Sequence, residues 1–264
     1  MSKRFDVTSN GIHRTGKKAY LTVNNVHRKV KKAYLTVNGV HKLVFQGNPS
    51  LAELPVGSSI FMNMNGVRNE FLIVHQGIPS SMYDASCDGT WLLKKNVCTG
   101  DVDYGTNNAD YSTSYVRTDV DNLLSSFDSN VQNIIKTVKI PYYKGSGSSG
   151  VVASGSSGLE TKLFLLGGYE VGWTTADGNF PVDGAVLDYF KGTATVDSKR
   201  TAYYDNGVSA GWWLRSTDTT SYKRAWDVYD GEAWNDTFTT LCAIRPALIL
   251  PNTTIVDDNF NIIA

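Results

Sequence analysis

The sequence predicts an α+β fold of mixed, mainly antiparallel strands with two helices and long loops, preceded by small N-terminal β-hairpin repeats. Three observations carry this. A repeat with a period of 14 residues runs through residues 1–46. After residue 115, two consecutive segments repeat apolar residues at helical spacing. From residue 59 to residue 250, short apolar runs alternate with clusters of Asn, Gly, Ser and Asp, the pattern of strands and turns.

The arm comes first. Asn10-Gly11-Ile12-His13-Arg14, Asn24-Asn25-Val26-His27-Arg28 and Asn38-Gly39-Val40-His41-Lys42 superimpose, as do Lys17-Lys18-Ala19-Tyr20 and Lys31-Lys32-Ala33-Tyr34. Asn-Gly and Asn-Asn tolerate the positive φ of a type I′ turn, so each unit reads as a hairpin. Closing one at Asn24-Asn25 pairs Val23 with Val26, Leu21 with Arg28 and Ala19 with Val30. Three of the four histidines occupy equivalent repeat positions. One His per hairpin makes no chelate, so a metal role is not expected there. Such thin hairpins need a neighbour to bury anything, and attachment is the expected job of residues 1–46.

A second domain is expected over residues 50–264. Ser59 to Met64 and Glu70 to His75 read as strands joined through Asn65-Gly66, and Trp91-Leu92-Leu93 as the next. Val116, Val120, Leu123, Leu124 and Phe127 form one helical face. Val131, Ile134, Ile135 and Val138 form another, separated by a turn and cap at Asp128-Ser129-Asn130 and ending near Pro141. Residues 145–158 are nearly all Gly, Ser, Val and Ala, a flexible loop. Lys162 to Leu166 reads as a core strand, Val186 to Phe190 as a short helix. Then come Gly211 to Ser216, Ala225 to Tyr229, and a final strand from Ala243 to Leu250.

Charge is unevenly distributed although the net charge is zero. Residues 1–44 carry ten Lys or Arg and only Asp6, a balance of +9, which leaves 15 bases and 24 acids for the rest. The bases fall at repeat positions, which favours a solvated strand face or an acidic protein partner over nucleic acid. No stretch suits a membrane span, and the start lacks the apolar run that export requires. Cys87, Cys98 and Cys242 have no metal-ligand spacing; reduced thiols are expected, with a Cys87–Cys98 bridge as the open alternative.

Catalytic groupings are absent. There is no Gly-x-Ser-x-Gly elbow, no His-Glu-x-x-His and no phosphate loop, and only His75 lies outside the repeats as a candidate base. An enzyme is therefore not expected, and neither is a cofactor. Asp101-Val102-Asp103-Tyr104-Gly105 with Asn107, Asn108 and Asp110 invites a calcium loop, but Gly105 stands where a ligand belongs and Ser112 where the bidentate Glu belongs. Trp234-Asn235-Asp236 matches the short signature of calcium-dependent lectins, yet no Glu-Pro-Asn or Gln-Pro-Asp tripeptide accompanies it. No bound metal is expected. Trp212 and Trp213 beside Arg215 read as core packing around a buried, paired Arg, and Arg245-Pro246 as a fork donor tying loop carbonyls to the core. Tyr222, Tyr229, Trp234 and Phe238 stand instead among Asp, Asn, Ser and Thr, the composition of a paratope.

From about Ser50 onward the chain resembles C-type-lectin-fold domains of phage and bacterial surface proteins. The resemblance rests on Lys162 to Leu166, Glu170-Val171-Gly172, Gly211-Trp212-Trp213-Leu214-Arg215-Ser216, Ala225 to Val228 and Ile244-Arg245-Pro246-Ala247-Leu248. Many members are variable proteins of diversity-generating retroelements, in which an error-prone reverse transcriptase rewrites adenines in the C-terminal coding segment. Asn codons there scatter to Tyr, Asp, Ser, Thr, Ala and Phe, the palette between Thr217 and Leu241. The arm is similar to Lys-Lys-Ala-Tyr hairpin repeats of tail-associated proteins from phages of Gram-positive bacteria.

The resemblance implies a phage-tail receptor-binding protein, carried on the virion and made in the bacterial cytoplasm. Its implied ligand-binding, variable residues are Asp218, Thr220, Ser221, Tyr222, Arg224, Asp227, Tyr229, Asp230, Trp234, Asn235, Asp236, Thr237, Phe238 and Thr239. Trp212, Trp213, Leu214, Arg215, Arg245 and Pro246 would be the invariant scaffold. The implied partners are a host-cell surface receptor (protein or glycan), a phage tail through residues 1–46, and further copies of the chain in a homo-oligomer. The same fold hosts the formylglycine-generating enzyme with its C-terminal cysteines, but Cys242 stands alone in that region. A calcium-dependent carbohydrate-binding lectin and a non-diversified structural tail or bacterial surface module remain the alternatives.

Overall fold

A computed structural model describes the backbone of residues 5–9, 12–16, 19–23, 26–30, 32–37 and 40–46, and side chains as well in 48–98, 100–105, 110–145, 150–194 and 196–263. It is mixed α+β, mostly sheet, with two α-helices among the described residues. In the arm, Phe5–Ser9 (β1) pairs with Ile12–Gly16 (β2), Ala19–Val23 (β3) with Val26–Val30 (β4), and Lys32–Val37 (β5) with Val40–Gln46 (β6). Val23 faces Val26, Leu21 faces Arg28 and Ala19 faces Val30, the register that the repeat predicts. The turns at Asn10-Gly11, Asn24-Asn25 and Asn38-Gly39 lie outside the described residues.

Two five-stranded sheets, with four two-stranded ones beside them among the described residues, build the rest. The first is formed by Ser59–Met64 (β7), Val67–Gln76 (β8), Thr90–Lys94 (β9), Leu163–Phe164 (β11) and Ala247–Leu250 (β16), in the order β11-β16-β9-β8-β7. The second contains Asp101–Val102 (β10), Trp212–Thr217 (β12), Arg224–Tyr229 (β13), Glu232–Thr237 (β14) and Cys242–Ala243 (β15), in the order β10-β15-β12-β13-β14. Asn65 and Gly66 both have positive φ (50° and 74°), so the expected tight hairpin joins β7 to β8.

Alternation along these strands feeds two cores. Phe71, Ile73, Leu92, Leu248 and Trp213 enter one, with Val116 and Val120 of helix α1 (Tyr115–Asn122) and Val131 of α2 (Ser129–Ile134). Leu72, Trp91, Leu93, Ile249, Trp212 and Leu214 enter the other. Cover on both faces explains why Trp91-Leu92-Leu93 of β9 and all of β16 read as unbroken apolar runs. Ser114 caps α1 by accepting a hydrogen bond from Arg117 N–H at 3.2 Å.

Several boundaries differ from expectation. The second helix ends at Ile134, and Val138–Ile140 instead forms a strand with Leu159–Thr161, so the chain turns extended well before Pro141. Part of the expected flexible loop is ordered by pairing of Val152–Ala153 with Tyr142–Tyr143, while residues 146–149 lie outside the described ones. The strand expected over 162–166 is ladder-paired only at Leu163–Phe164, and the short helix is a single 3-10 turn, Asp188–Phe190.

The expected final strand is two strands in two sheets. Arg245 breaks it: its Nε donates to Lys94 O (2.9 Å) and its Nη1 to Arg200 O (3.2 Å), while Pro246 offers no N–H to a ladder. All three cysteines are free, which closes the Cys87–Cys98 alternative; Cys87 donates to Lys139 O instead. Among the described residues, no helix is long and apolar enough to cross a membrane.

Candidate functional site

The stretch after β12 turns out to be a hairpin. β13 pairs with β14 in a single register from Arg224↔Thr237 to Tyr229↔Glu232. Asp230 and Gly231, both at positive φ (49° and 83°), close it as a two-residue turn. The sequence expectation names no strand between Tyr229 and Ala243; Asp230-Gly231 between two alternating runs is the signal that points to a hairpin. β14 lies at the end of its sheet's strand order and is mostly half-buried or exposed.

The hairpin stands on a rigid base. Arg215 is fully buried and all five of its N–H donors are used: Nε to Pro141 O, Nη1 to Leu165 O and Glu170 Oε2, and Nη2 to Glu170 Oε1 and Asp183 O. Burial works against the cation, but the Glu170 carboxylate outweighs it and holds Arg215 above its ordinary value. Tyr83 and Gly167 donate to the same carboxylate. Trp213 Nε1 donates to Val102 O, and Trp212 lies beneath the Arg245 guanidinium at 5.0 Å. Leu214 is buried in the second core, and Pro246 accepts from Lys94 N–H at 3.0 Å. Each expected scaffold residue is thus tied into the interior.

The expected binding residues divide. Tyr222 (54% exposed), Tyr229 (45%) and Trp234 (50%) present large rings to solvent, with Thr220, Arg224, Asp230, Thr237 and Thr239 also exposed. Ser221, Asn235 and Asp236 are half-buried. Asp218, Asp227 and Phe238, expected among the ligand-binding residues, are buried. Phe238 stacks on Tyr104 at 5.2 Å within the core, as an aromatic at the end of a hairpin can when its strand turns inward. Asp218 shapes the preceding turn by accepting from Thr220 N–H (2.6 Å) and Thr220 Oγ1 (2.7 Å), and it also accepts from Asn235 Nδ2.

Asp227 lies instead at the floor of a cleft of about 450 Å³. Tyr229, Trp234 and Asp236 share that cleft because alternate positions on β13 and β14 project to one side. Asp101 from β10 and Cys242 from β15 line it as well. Burial, then the neighbouring Asp236 charge, pushes the Asp227 carboxyl up to about 7. Burial, then the same two acids, pushes the Cys242 thiol well up. Tyr204 donates to Asp101 Oδ1 at 2.5 Å at the rim.

Sequence reading missed Asp101, Tyr204 and Cys242 as members of one site. Their separation along the chain hides a meeting that only the β10–β15 pairing makes. In the stretch from Asp101 to Asp110, where the sequence argues against a calcium loop, Tyr104 is buried, and residues 106–109 lie outside the described ones. In Trp234-Asn235-Asp236, Asn235 turns to Asp218 while Asp236 faces the cleft.

Fold and site together define an α+β domain built on two five-stranded sheets, one of which carries an aromatic, acidic cleft on its end hairpin. The chain belongs to the family described as a domain of unknown function, DUF6273, whose family model matches residues 88–252. That span runs from β9 to β16, so the arm and the β7–β8 hairpin are added to it. No curated protein matches the chain, and no solved structure does.

Proposed function

We propose that the chain is a receptor-binding protein, displaying the β13–β14 hairpin and its approaches on a C-type lectin-like scaffold. The observation that carries this reading is the contrast between neighbours. Three half-exposed aromatic rings, Tyr222, Tyr229 and Trp234, follow directly on β12, every residue of which is buried. Exposed rings of this kind offer much contact area at little entropic cost, whereas isolated solubility needs none of them. Variation in the hairpin is compatible with the fold because Arg215, Glu170 and Arg245 secure the interior independently of it.

In this proposal residues 1–46 attach the head to a phage tail, and a retroelement diversifies the coding segment for residues 212–250. The head binds a receptor on the host-cell surface and catalyses nothing. Labelled full chain should adsorb to cells of a susceptible Gram-positive host, and combined Tyr229→Ala and Trp234→Ala should abolish adsorption while the fold persists. Undiminished adsorption by the double variant would refute the reading. The neighbouring DNA offers a second check: a near-copy of those codons differing only at adenines, beside a reverse transcriptase gene.

A further inference from the structure

The cleft is chemically unbalanced. Asp101, Asp227 and Asp236 line it together with Cys242, and among the described residues no Lys or Arg lines it. Asp227 is 2% exposed, and its buried Oδ1 has no hydrogen-bond partner among the described residues. A carboxylate withdrawn from water in this way ordinarily meets a cation or a full set of donors. The described side chains around it supply no cation and, as a donor, the Cys242 thiol, which leaves Oδ1 unmet.

The arrangement of donors says what is missing. One carboxylate oxygen from each of Asp227 and Asp236 and the Cys242 sulfur lie within 4.8 Å of one another. They come from β13, β14 and β15, and between β15 and β13 runs β12. Gly211, which immediately precedes β12, leaves the gap clear: a Cβ there would lie 3.6 Å from Cys242 Sγ and 3.8 Å from Asp227 Oδ2.

The geometry points to a site for one thiophilic divalent cation of the zinc class, held by Cys242 Sγ and a carboxylate oxygen of each of Asp227 and Asp236, with its fourth position open to the cleft. Sulfur decides the class. Calcium and magnesium take oxygen ligands, calcium six to eight of them, and a thiolate suits neither. Zinc accepts mixed sulfur and oxygen donors at about 2.0–2.3 Å in a tetrahedron, which sets the donors roughly 3.5 Å apart. Rotation about the χ1 angles of two short side chains covers that difference. Asp101, oriented by Tyr204, adds negative charge at the rim. Three protein ligands and an open fourth position would let the ion accept an oxygen or nitrogen from whatever enters the cleft. This inference is independent of the receptor-binding reading.

The full chain, stripped with a chelator, is titrated with zinc by calorimetry, and separately with cobalt(II) followed by absorbance. Expected are one zinc per chain, a raised melting temperature, and a thiolate-to-cobalt charge-transfer band in the near ultraviolet. Cys242→Ser should remove the band and weaken binding at least tenfold. Asp236→Asn, a near-isosteric change at a half-buried position, should weaken binding to a similar degree. Cys98→Ser should change neither. Absence of stoichiometric binding, or unchanged affinity in both Cys242→Ser and Asp236→Asn, overturns the proposal and leaves a protonated Asp227 paired with a neutral thiol.

Discussion

Arg215 and Glu170 form a fully buried, two-pronged ion pair, with Nη1 2.5 Å from Oε2 and Nη2 2.7 Å from Oε1. Forty-five positions separate them in the chain, and their contact joins β12 to the loop after β11. Glu170→Gln keeps the shape but leaves a buried guanidinium without its counter-charge. Removing one partner of such a pair costs about 3–5 kcal/mol. Chemical denaturation of Glu170→Gln should show a loss of that order; a loss under about 1 kcal/mol would mean that the pair contributes little.

Asp183 gives stability a pH dependence of defined sign. Burial, opposed by the Arg215 charge and the Ser216 hydrogen bonds and reinforced by Glu170, holds its carboxyl up to about 6. In the unfolded chain it titrates near 3.9. Between those values the folded state binds the extra proton, so this group's contribution is present below about pH 4 and is lost as pH rises through about 6. Relative to Asp183→Asn, the wild type should lose up to about 3 kcal/mol from pH 4 to pH 7. A difference that stays flat or grows over that range contradicts the assignment.

Substitutions in the hairpin should separate binding from folding. Tyr222→Ala, Tyr229→Ala and Trp234→Ala change exposed side chains, and each should shift stability by only about 0.5 kcal/mol. Anchoring aromatics commonly contribute about 2 kcal/mol or more to an interface. Phe238→Ala, by contrast, empties a buried site against Tyr104 and should destabilise by about 3–5 kcal/mol. Thermal melts paired with cell adsorption check both halves; a large loss of stability from Tyr229→Ala or Trp234→Ala would show the rings to be structural.

The head should fold without the arm. Pro49 O accepts from Val256 N–H at 3.0 Å and Ser50 bridges Ile255, so the head's own contacts begin at its first residues. A chain of residues 48–264 should unfold cooperatively near the melting temperature of the full protein. Gradual, probe-dependent unfolding of that truncation would place the arm within the folding unit.

Calcium should leave the melting temperature unmoved. A ligand that binds only the folded state raises that temperature with concentration, and the cleft offers a sulfur where calcium needs oxygen. A saturable rise on adding millimolar calcium to chelator-treated protein would contradict this.

What was legible in the sequence follows physical lines. Asn65-Gly66 and the arm's repeat were readable because positive φ and period two are local demands. Arg215 could be read as buried and paired from its Trp-Trp neighbours, but Glu170 could not be named as its partner, since nothing local joins them. β14 was missed because its side chains are permissive; Asp230-Gly231 alone marked it. The break at Arg245 was hidden because Ile244 and Ala247 continue the apolar run while the guanidinium's carbonyl partners lie at Lys94 and Arg200. The cleft was least legible of all. Asp101, Asp227 and Cys242 meet only through pairing between strands distant in the chain.

The two-residue turn between β13 and β14 bears on which kinds of sequence change the hairpin can absorb. A Cβ at Gly231 would fall 2.5 Å from Asp197 O, so the turn is pinned by its surroundings as well as by its positive φ angles. Exchange of one side chain for another leaves this register alone. Insertion or deletion of a single residue beyond the turn would carry Trp234 and Asp236 to the opposite face and bring Asn235 into the cleft. The hairpin therefore accepts substitution at constant length and resists any change of length, so a variant that alters the residue count of β14 should lose the cleft even where its composition is kept.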